Sequence, residues 1–242
     1  MTKLSVNINK IATLRNARGG NIPNVVEAAI KAELFGAQGI TIHPRPDERH
    51  IRYQDAYDLK EVVTTEFNIE GNPIESFMNL VLKLKPEQVT LVPDAEDAIT
   101  SNAGWNTSKH KDYLTDIISE FKRNGIRTSI FLDPNPNLIE SAAATGTERI
   151  ELYTESFAVE YARGNLNGIE TYKECARLAL EMGLKLNAGH DLSLDNLQYF
   201  IEQIPEIEEV SIGHALISES IYMGLENTIQ AYLKRIELAN RK

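Results

Sequence analysis

The sequence predicts an α/β protein that folds as a single (β/α)8 barrel over residues 1–242. Short runs rich in β-branched residues alternate with longer stretches of helical periodicity along the whole chain, and eight of each occur. No linker rich in proline, glycine or serine interrupts them, which favours one closed parallel barrel. An open, doubly wound sheet is the alternative, but it normally has a phosphate-binding glycine loop directly after its first strand. The Gly19-Gly20 pair comes too late for that loop.

The strands are predicted at the short apolar runs and the helices at the periodic segments between them. The predicted strands are residues 4–9, 39–44, 66–71, 88–93, 127–133, 149–154, 185–190 and 209–214. The predicted helices are residues 25–37, 53–63, 74–84, 111–125, 137–146, 168–183, 194–204 and 227–242. Several of these helices end at a glycine or just before a proline, as helix C-termini often do. Segment 155–168 is an additional excursion, long enough for a short helix and a loop.

The composition restricts the partners and the compartment. The formal net charge of -10, with no concentrated basic surface, disfavours nucleic acid as a partner. No apolar run approaches the ~20 residues of a membrane span, and the N-terminal residues lack the features of a signal peptide. The single cysteine, Cys175, lies in a helical stretch and is expected to be a buried structural thiol. A lone cysteine fits a reducing, cytoplasmic location.

Polar and ionisable residues concentrate where the predicted strands end. Three of the five histidines fall at such positions, together with carboxylates and carboxamides. Because the catalytic groups of a parallel barrel come from the C-terminal ends of its strands, these side chains are expected to converge on one site. The strand-end residues are Asn7, Asn9, Lys10, His43, Arg45, Glu70, Asp133, Glu151, Thr154, Asn187, His190 and His214.

This set of residues suits acid–base chemistry. Histidine titrates near neutral pH, and desolvation in a barrel mouth raises the pKa of a glutamate toward the same range. Several such groups around one pocket suit successive proton transfers, as in a carbonyl condensation followed by dehydrations. A metal site stays open, but the sequence has no H-x-H, no H-E-x-x-H and no cysteine cluster, so its ligands would come one from each strand. A serine or cysteine nucleophile is disfavoured because neither G-x-S-x-G nor a strand-end cysteine occurs.

Three segments are candidates for binding an anion. Gly213-His214 ends the eighth strand and leads into ALISES, whose serines could open a short helix with its N–H groups directed at a phosphate. Ser193, after the seventh strand, is a candidate helix N-cap. Arg15 and Arg18 follow the first strand, and the glycines after them would let the loop fold over a phosphate or carboxylate. An ordinary surface position is the alternative for Arg15.

A series of motifs resembles the pyridoxine 5′-phosphate synthase family: NINKIATLRNARGG, ITIHPRPDERHI, FNIEGNP, LVPD, LNAGHDL and SIGHALI, in this order. The resemblance extends over nearly the whole chain. It implies a TIM-barrel transferase that condenses 1-deoxy-D-xylulose 5-phosphate with 3-amino-2-oxopropyl phosphate to give pyridoxine 5′-phosphate, inorganic phosphate and water. It also implies phosphorylated small molecules as substrates, no metal or organic cofactor, and assembly as a homo-octamer.

The resemblance also implies roles for individual residues. His43 and Glu70 match the family's proton acceptors, and His190 matches its proton donor. The positions at which the family contacts the deoxyxylulose phosphate are Arg45, His50 and Thr100 in this chain. The positions at which it contacts the amino ketone phosphate are Asn7, Arg18, Gly213 and His214.

Two places depart from the family pattern. The family often has Asp-His where this chain has Asn9-Lys10, and Lys10 can still meet a phosphate or a hydroxyl group. Asp191 replaces a frequent glycine after the donor histidine. The exchange is tolerable if only its backbone contacts a substrate, whereas a carboxylate that points inward would repel a phosphate. All three are predicted to bind substrate.

Two other functions stay open. One is a metal-assisted barrel hydrolase or aldolase, and the other is a non-catalytic barrel that binds a phosphosugar. The proton-transfer residues are all present, which argues against the second, and Asn9-Lys10 is where a loss of the chemistry would begin.

Overall fold

The chain forms a closed barrel of eight parallel strands in sequence order in a computed structural model, which describes residues 1–94, 101 and 103–241. The strands are β1 (Lys3–Asn7), β2 (Gly39–Ile42), β3 (Glu66–Gly71), β4 (Gln88–Leu91), β5 (Arg127–Leu132), β6 (Arg149–Tyr153), β7 (Lys185–Gly189) and β8 (Ile207–Ile212). Every predicted strand is present, so the predicted (β/α)8 TIM barrel is confirmed. Most strands end one or two residues earlier than predicted, which places the polar residues that follow them in the loops at the barrel mouth.

Helices surround the barrel. They are α1 (Asn9–Asn16), α2 (Val25–Leu34), α3 (Tyr53–Lys60), α4 (Glu75–Leu84), α5 (Thr107–Arg123), α6 (Ile139–Ala144), α7 (Glu155–Ala162), α8 (Glu170–Glu181), α9 (Leu197–Gln203), α10 (His214–Met223) and α11 (Leu225–Ala239). The eight predicted helices are all present, and α7 with a 3-10 turn at Leu166–Ile169 accounts for the excursion at 155–168. Helix α1 was not predicted, and α10 lies where a short helix was expected after the eighth strand.

The apolar core lies between the strands and the helices, whereas the barrel interior is polar. Successive strand residues point to opposite faces. One set of alternate residues is apolar and packs with the buried faces of the helices, as Leu4 and Val6 of β1 do. From β1 to β4, the other set forms a chain of hydrogen bonds inside the barrel. Ser5 Oγ and Thr41 Oγ1 are 2.7 Å apart, Asn68 Nδ2 donates to Thr41 Oγ1 at 3.4 Å, and Thr90 Oγ1 donates to Asn68 Oδ1 at 3.1 Å.

Arg15 does not lie in a loop over a ligand, nor on the surface, because residues 9–16 form α1 instead of the predicted loop. Its side chain is fully buried, and its guanidinium group donates to both carboxylate oxygens of Asp55, at 2.6 and 2.9 Å. The second of these oxygens also accepts from the backbone N–H of Arg52, directly before α3, at 2.7 Å. Arg15 therefore joins α1 to the first turn of α3.

Two further residues are buried in the apolar core. Cys175 is fully buried in α8, as predicted, and burial raises the pKa of its thiol to about 12. Trp105 is packed, with its ring 5.5 Å from that of His110.

In the part of the chain that the structure describes, no helix combines the length and the apolar character needed to cross a bilayer.

Candidate active site

A cavity of about 370 Å3 opens at the C-terminal ends of the strands. This is the end of the barrel that carries ligands, and the volume is within the range of small-molecule sites. The residues that line it are Asn7, Asn9, Lys10, His43, Arg45, His50, Glu70, Val92, Ser101, Phe131, Glu151, His190, Asp191, Ser211, Gly213 and His214. The structure thus brings most of the predicted site residues together around one cavity.

Among the described residues, four of the predicted set are not in that lining: Arg18, Asp133, Thr154 and Asn187. Arg18 is exposed, in the turn that follows α1. Thr100 lies outside the described residues. The predicted roles of both residues stay predictions.

Glu70 and Glu151 are the acidic groups inside the cavity. Burial, followed by the negative charges of Asp94 and Glu209, raises the pKa of Glu70 to about 8. Burial and the nearby Glu70 raise the pKa of Glu151 well above its usual value. The neutral form of the Glu70 carboxyl is therefore favoured near neutral pH. Asn7 Nδ2 donates to Glu70 Oε2 at 3.4 Å and Ser211 Oγ to Glu70 Oε1 at 3.5 Å, which are long contacts that restrain the carboxyl weakly.

His43 and His50 are basic groups of low proton affinity. His43 follows β2 directly, and burial, followed by the charges of Arg45 and His50, lowers its pKa well below the usual value. Burial and the charges of Arg45 and Lys10 lower the pKa of His50 to about 4. Both imidazoles are therefore neutral at pH 7. A neutral imidazole can accept a proton, which is the role expected for His43.

The loop after β1 holds His43 in place. Asn9 Oδ1 accepts from the backbone N–H of His43 at 2.9 Å, and Asn7 Oδ1 accepts from the backbone N–H of Asn9 at 3.0 Å. The carboxamide of Asn9 therefore connects the ends of β1 and β2. Lys10 is exposed at the cavity rim.

Arg45 is paired inside the protein. Its Nη2 lies 2.6 Å from Asp94 Oδ2, and both side chains are buried. Ser101 Oγ donates to the same carboxylate oxygen at 2.7 Å. The guanidinium group therefore lies at the cavity wall with its charge largely balanced by Asp94.

The loop after β8 provides an opening for an anion. Helix α10 begins at His214, and Gly213 precedes it, so the first N–H groups of the helix lie at the cavity. Unpaired N–H groups and the helix dipole favour an anion at such a place. The serines of ALISES were predicted to open this helix. This prediction is wrong, because Ser218 and Ser220 lie within the helix. A Cβ at position 213 would lie 3.1 Å from the side chain of Asn7, so a glycine fits closely there.

Ser193 is not the N-cap of the next helix. Helix α9 begins at Leu197, three residues later than the predicted helix, and Asn196 precedes it. Ser193 Oγ instead accepts from the backbone N–H of Asp195 at 3.3 Å, in the turn between β7 and α9. The turn residues satisfy each other locally, which delays the helix.

Some cavity residues were not predicted as site residues. Ser211 was not considered, and Glu151 was expected among the strand-end residues of the site but without a role in the chemistry. Val92 and Phe131 form an apolar part of the wall, and Phe131 packs 5.1 Å from the ring of Tyr153. Among residues 1–94, 101 and 103–241, no group of three or more His, Cys, Asp or Glu side chains is arranged to hold a metal ion.

The fold and the cavity define the class of protein: a (β/α)8 barrel with ionisable groups around a small-molecule cavity at its C-terminal mouth. Comparison with known proteins identifies the family. Residues 4–238 match the family described as pyridoxal phosphate biosynthesis protein PdxJ, and the chain belongs to this family. The predicted resemblance to the synthase family is therefore confirmed.

Similar proteins of known name support this assignment. A Christiangramia forsetii protein named pyridoxine 5′-phosphate synthase is 68% identical over 237 residues, which are 98% of this chain and 100% of that protein. A Flavobacterium johnsoniae protein of the same name is 66% identical over the same shares of both chains.

Solved structures of much lower identity share the fold. A phosphoribosylanthranilate isomerase from Thermotoga maritima superposes with a TM-score of 0.62 at 14% identity, over 98% of this chain and 99% of that one. A thiamine phosphate pyrophosphorylase from Pyrococcus furiosus gives a TM-score of 0.63 at 13% identity, over 98% of this chain and 96% of that one. At these identities the likeness shows the barrel alone.

Proposed function

We propose that this protein catalyses the pyridoxine 5′-phosphate synthase reaction for which its relatives are named. In this reaction 1-deoxy-D-xylulose 5-phosphate and 3-amino-2-oxopropyl phosphate condense to pyridoxine 5′-phosphate, with release of inorganic phosphate and water. The observation that carries the proposal is that Glu70, His43 and His190 line one cavity in which the pKa of a buried acid, Glu70, is raised and that of a buried base, His43, is lowered.

The displaced pKa values suit a reaction that moves many protons without transferring a hydride. The substrate amine attacks the sugar ketone to form a C–N bond, and loss of water then leaves an imine. Loss of phosphate and of further water leads to ring closure and aromatisation. Glu70 carries protons between nitrogen and oxygen in the condensation, since a carboxyl with a pKa of about 8 both gives and takes a proton near neutral pH. His43, neutral at pH 7, is the base in the eliminations. His190 protonates the departing oxygen.

Two substrates with phosphate groups require two anion sites. Arg45 and His50 are proposed to bind the deoxyxylulose phosphate, together with Thr100. The start of α10, at Gly213 and His214, is proposed to bind the amino ketone phosphate, as helix N-termini commonly do in this architecture. Asn7, Asn9, Lys10 and Arg18 complete the proposed binding residues, and Asp191 contributes to binding through its backbone.

The test is direct. The two phosphorylated substrates are mixed with the purified protein, and pyridoxine phosphate absorbance and phosphate release are followed together. We expect both signals, in equal amounts, to persist after exhaustive chelation. Loss of activity on chelation, restored by one metal, would favour the metal-assisted hydrolase or aldolase. Binding of both substrates without product would favour the non-catalytic phosphosugar-binding barrel.

We also propose that the protein self-associates, as a homo-octamer. Helix α10 exposes three consecutive apolar residues, Ile221, Tyr222 and Met223, and Tyr222 is 90% exposed. Large apolar side chains exposed together are typical of an interface. Light scattering after size-exclusion chromatography is expected to give the octamer for the wild type and smaller species for Y222E. A monomeric wild type would contradict this proposal without affecting the proposed reaction.

The proposed compartment is the cytoplasm. The buried, unpaired Cys175 supports a reducing environment. Fractionation of cells with an antibody against the protein tests this directly.

A further inference from the structure

His190 and Asp191 are neighbours in sequence whose side chains contact each other. The ring nitrogen Nδ1 of His190 lies 2.6 Å from Asp191 Oδ2. Both residues line the cavity, and each side chain is about a third exposed, at 29% and 33%. Neighbouring residues in an extended chain point in opposite directions, so this contact needs a special backbone conformation.

The backbone provides that conformation at His190, where φ is +90°. A residue with a side chain rarely adopts a positive φ, because the conformation is strained. It persists only where the surroundings enforce it. The strained residue is therefore a sign that this local geometry has a use at the site.

Hydrogen bonds on three sides enforce the geometry. The backbone N–H of His190 donates to Ser211 O of β8 at 3.4 Å, and that of Asp191 donates to Thr154 Oγ1 at 3.2 Å. Asn196 Nδ2 donates to the backbone carbonyl oxygen of Asp191 at 3.3 Å. The ring of Tyr153 meets the His190 ring edge to face, with 5.2 Å between centroids. Elements on both sides of β7 thus hold the pair.

The charge of Asp191 has a clear consequence in this cavity. A carboxylate directed at a phosphorylated substrate repels it, but here the carboxylate is turned onto an imidazole. An ionised carboxylate only accepts hydrogen bonds, which assigns a proton to His190 Nδ1. Any proton that His190 passes to a ligand then travels through Nε2.

We propose that Asp191 is a positioning residue that fixes the tautomer and the ring orientation of His190 for proton transfer through Nε2. The inference rests on the proposed function for its chemical consequence. In the step concerned, the imidazolium of His190 gives its Nε2 proton to the departing substrate oxygen, which leaves as water. The imidazole that remains is neutral and keeps its proton on Nδ1, hydrogen-bonded to Asp191, until a proton from solvent restores the cation.

The test compares Asp191→Asn and Asp191→Gly with Asp195→Asn, an exposed aspartate of the same turn. We expect kcat to fall roughly tenfold to a hundredfold in both Asp191 variants, as when the partner that orients a functional histidine is removed. We expect KM for either substrate to change less than threefold, and the Asp195 variant to match the wild type. A raised KM with unchanged kcat would overturn the proposal and make Asp191 a substrate contact.

A spectroscopic measurement tests the pair without any turnover. In protein labelled with 15N-histidine, the ring nitrogen shifts of His190, assigned from the signals lost in His190→Gln, are expected to show the proton on Nδ1. In Asp191→Gly the Nε2–H tautomer is expected to gain population, with the thermal midpoint measured to confirm folding. An unchanged tautomer in Asp191→Gly would overturn the proposal. If the wild type makes no product, this experiment still decides the pairing, so the two failures are distinguishable.

Discussion

Gly189 lies directly against the carboxylate of Glu151, and any Cβ at position 189 would collide with it. The two residues are on neighbouring strands, and Gly189 is the last residue of β7, before His190. The same Cβ would lie 2.9 Å from the backbone oxygen of Ser211, which cannot move away easily. The absence of a side chain at 189 therefore lets Glu151 extend into the barrel mouth, beside Glu70.

Gly189→Ala is expected to displace Glu151 and to lower kcat at least tenfold, while destabilising the fold by about 1–3 kcal/mol, as overpacking typically does. Urea unfolding and steady-state kinetics measure the two effects. Gly20→Ala is the control, because a Cβ there meets nothing within 4 Å and its backbone is not in the left-handed region. In Gly189→Ala/Glu151→Ala, part of the stability is expected to return without the activity. Wild-type kcat in Gly189→Ala would show that the position of Glu151 is unimportant.

The pKa of Glu70 predicts how the rate depends on pH. A base with a pKa of about 8 is active in the fraction that has lost its proton, so kcat/KM is expected to rise about tenfold per pH unit below pH 7, less steeply up to pH 8, and then to level off. Burial and the charges of Arg45 and His50 lower the pKa of His43 well below its usual value, which favours its neutral form. Glu70→Gln is expected to lose about a hundredfold or more. Glu140→Gln, at an exposed position, serves as the control. A rate already level at pH 6 would contradict this assignment.

The raised pKa of Glu70 also predicts that the stability of the fold decreases as the pH rises, whereas the rate increases. The folded-state pKa of Glu70 is raised above the usual value of 4.5, so its favourable contribution is complete below pH 4.5 and is lost as the pH rises through 8. Each unit of such a shift corresponds to about 1.4 kcal/mol. Glu70→Gln removes the ionisation and is expected to be more stable than the wild type above pH 8, with little difference at pH 5. Urea unfolding at pH 5 and 8.5 measures this. A variant that is less stable at pH 8.5 would mean that the ionised carboxylate is well solvated.

The strands were predictable because the outward positions of each strand carry apolar residues that pack on helices, as Ile40 and Ile42 do in β2. The mouth residues His43 and His190 were predictable because they follow strands in a parallel barrel. Glu151 lies two residues before the end of β6, on the inward side. Its signal was present in the sequence, as a carboxylate between the apolar residues Ile150 and Leu152.

Other features depend on contacts that no local pattern encodes. Arg15 is separated from its partner Asp55 by forty residues, so the sequence gives no sign that its charge is buried. Helix α1 has no side-chain hydrogen bond at its N-cap, Ile8, and α10 follows Gly213 without one. Both helices therefore lack the usual start signals.

When Asp94 is replaced, the guanidinium group of Arg45 is expected to bind a phosphate ion in place of the carboxylate. Asp94→Asn leaves the buried guanidinium group without its counter-ion. Removal of one partner of a buried ion pair typically lowers the free energy of unfolding by about 3–5 kcal/mol. An added phosphate can take the place of the carboxylate, so inorganic phosphate is expected to raise the thermal midpoint of Asp94→Asn more than that of the wild type. In Arg45→Gln/Asp94→Asn the rise is expected to return to the wild-type size or less. An equal rise in all three proteins would mean that phosphate binds away from Arg45.

The buried pair of Arg15 and Asp55 is expected to stabilise the fold without taking part in the chemistry. Arg15→Met removes one partner and leaves a buried carboxylate that also holds the N-terminus of α3, so a loss of about 3–5 kcal/mol is expected on urea unfolding. Arg15→Lys is expected to recover only part of this, because an ammonium group cannot make both hydrogen bonds of the guanidinium group. Arg18→Met, at an exposed position three residues further on, is the control for stability. At a temperature where Arg15→Met is folded, its KM values are expected to stay within threefold of the wild type, and a larger rise would place Arg15 at the substrate after all.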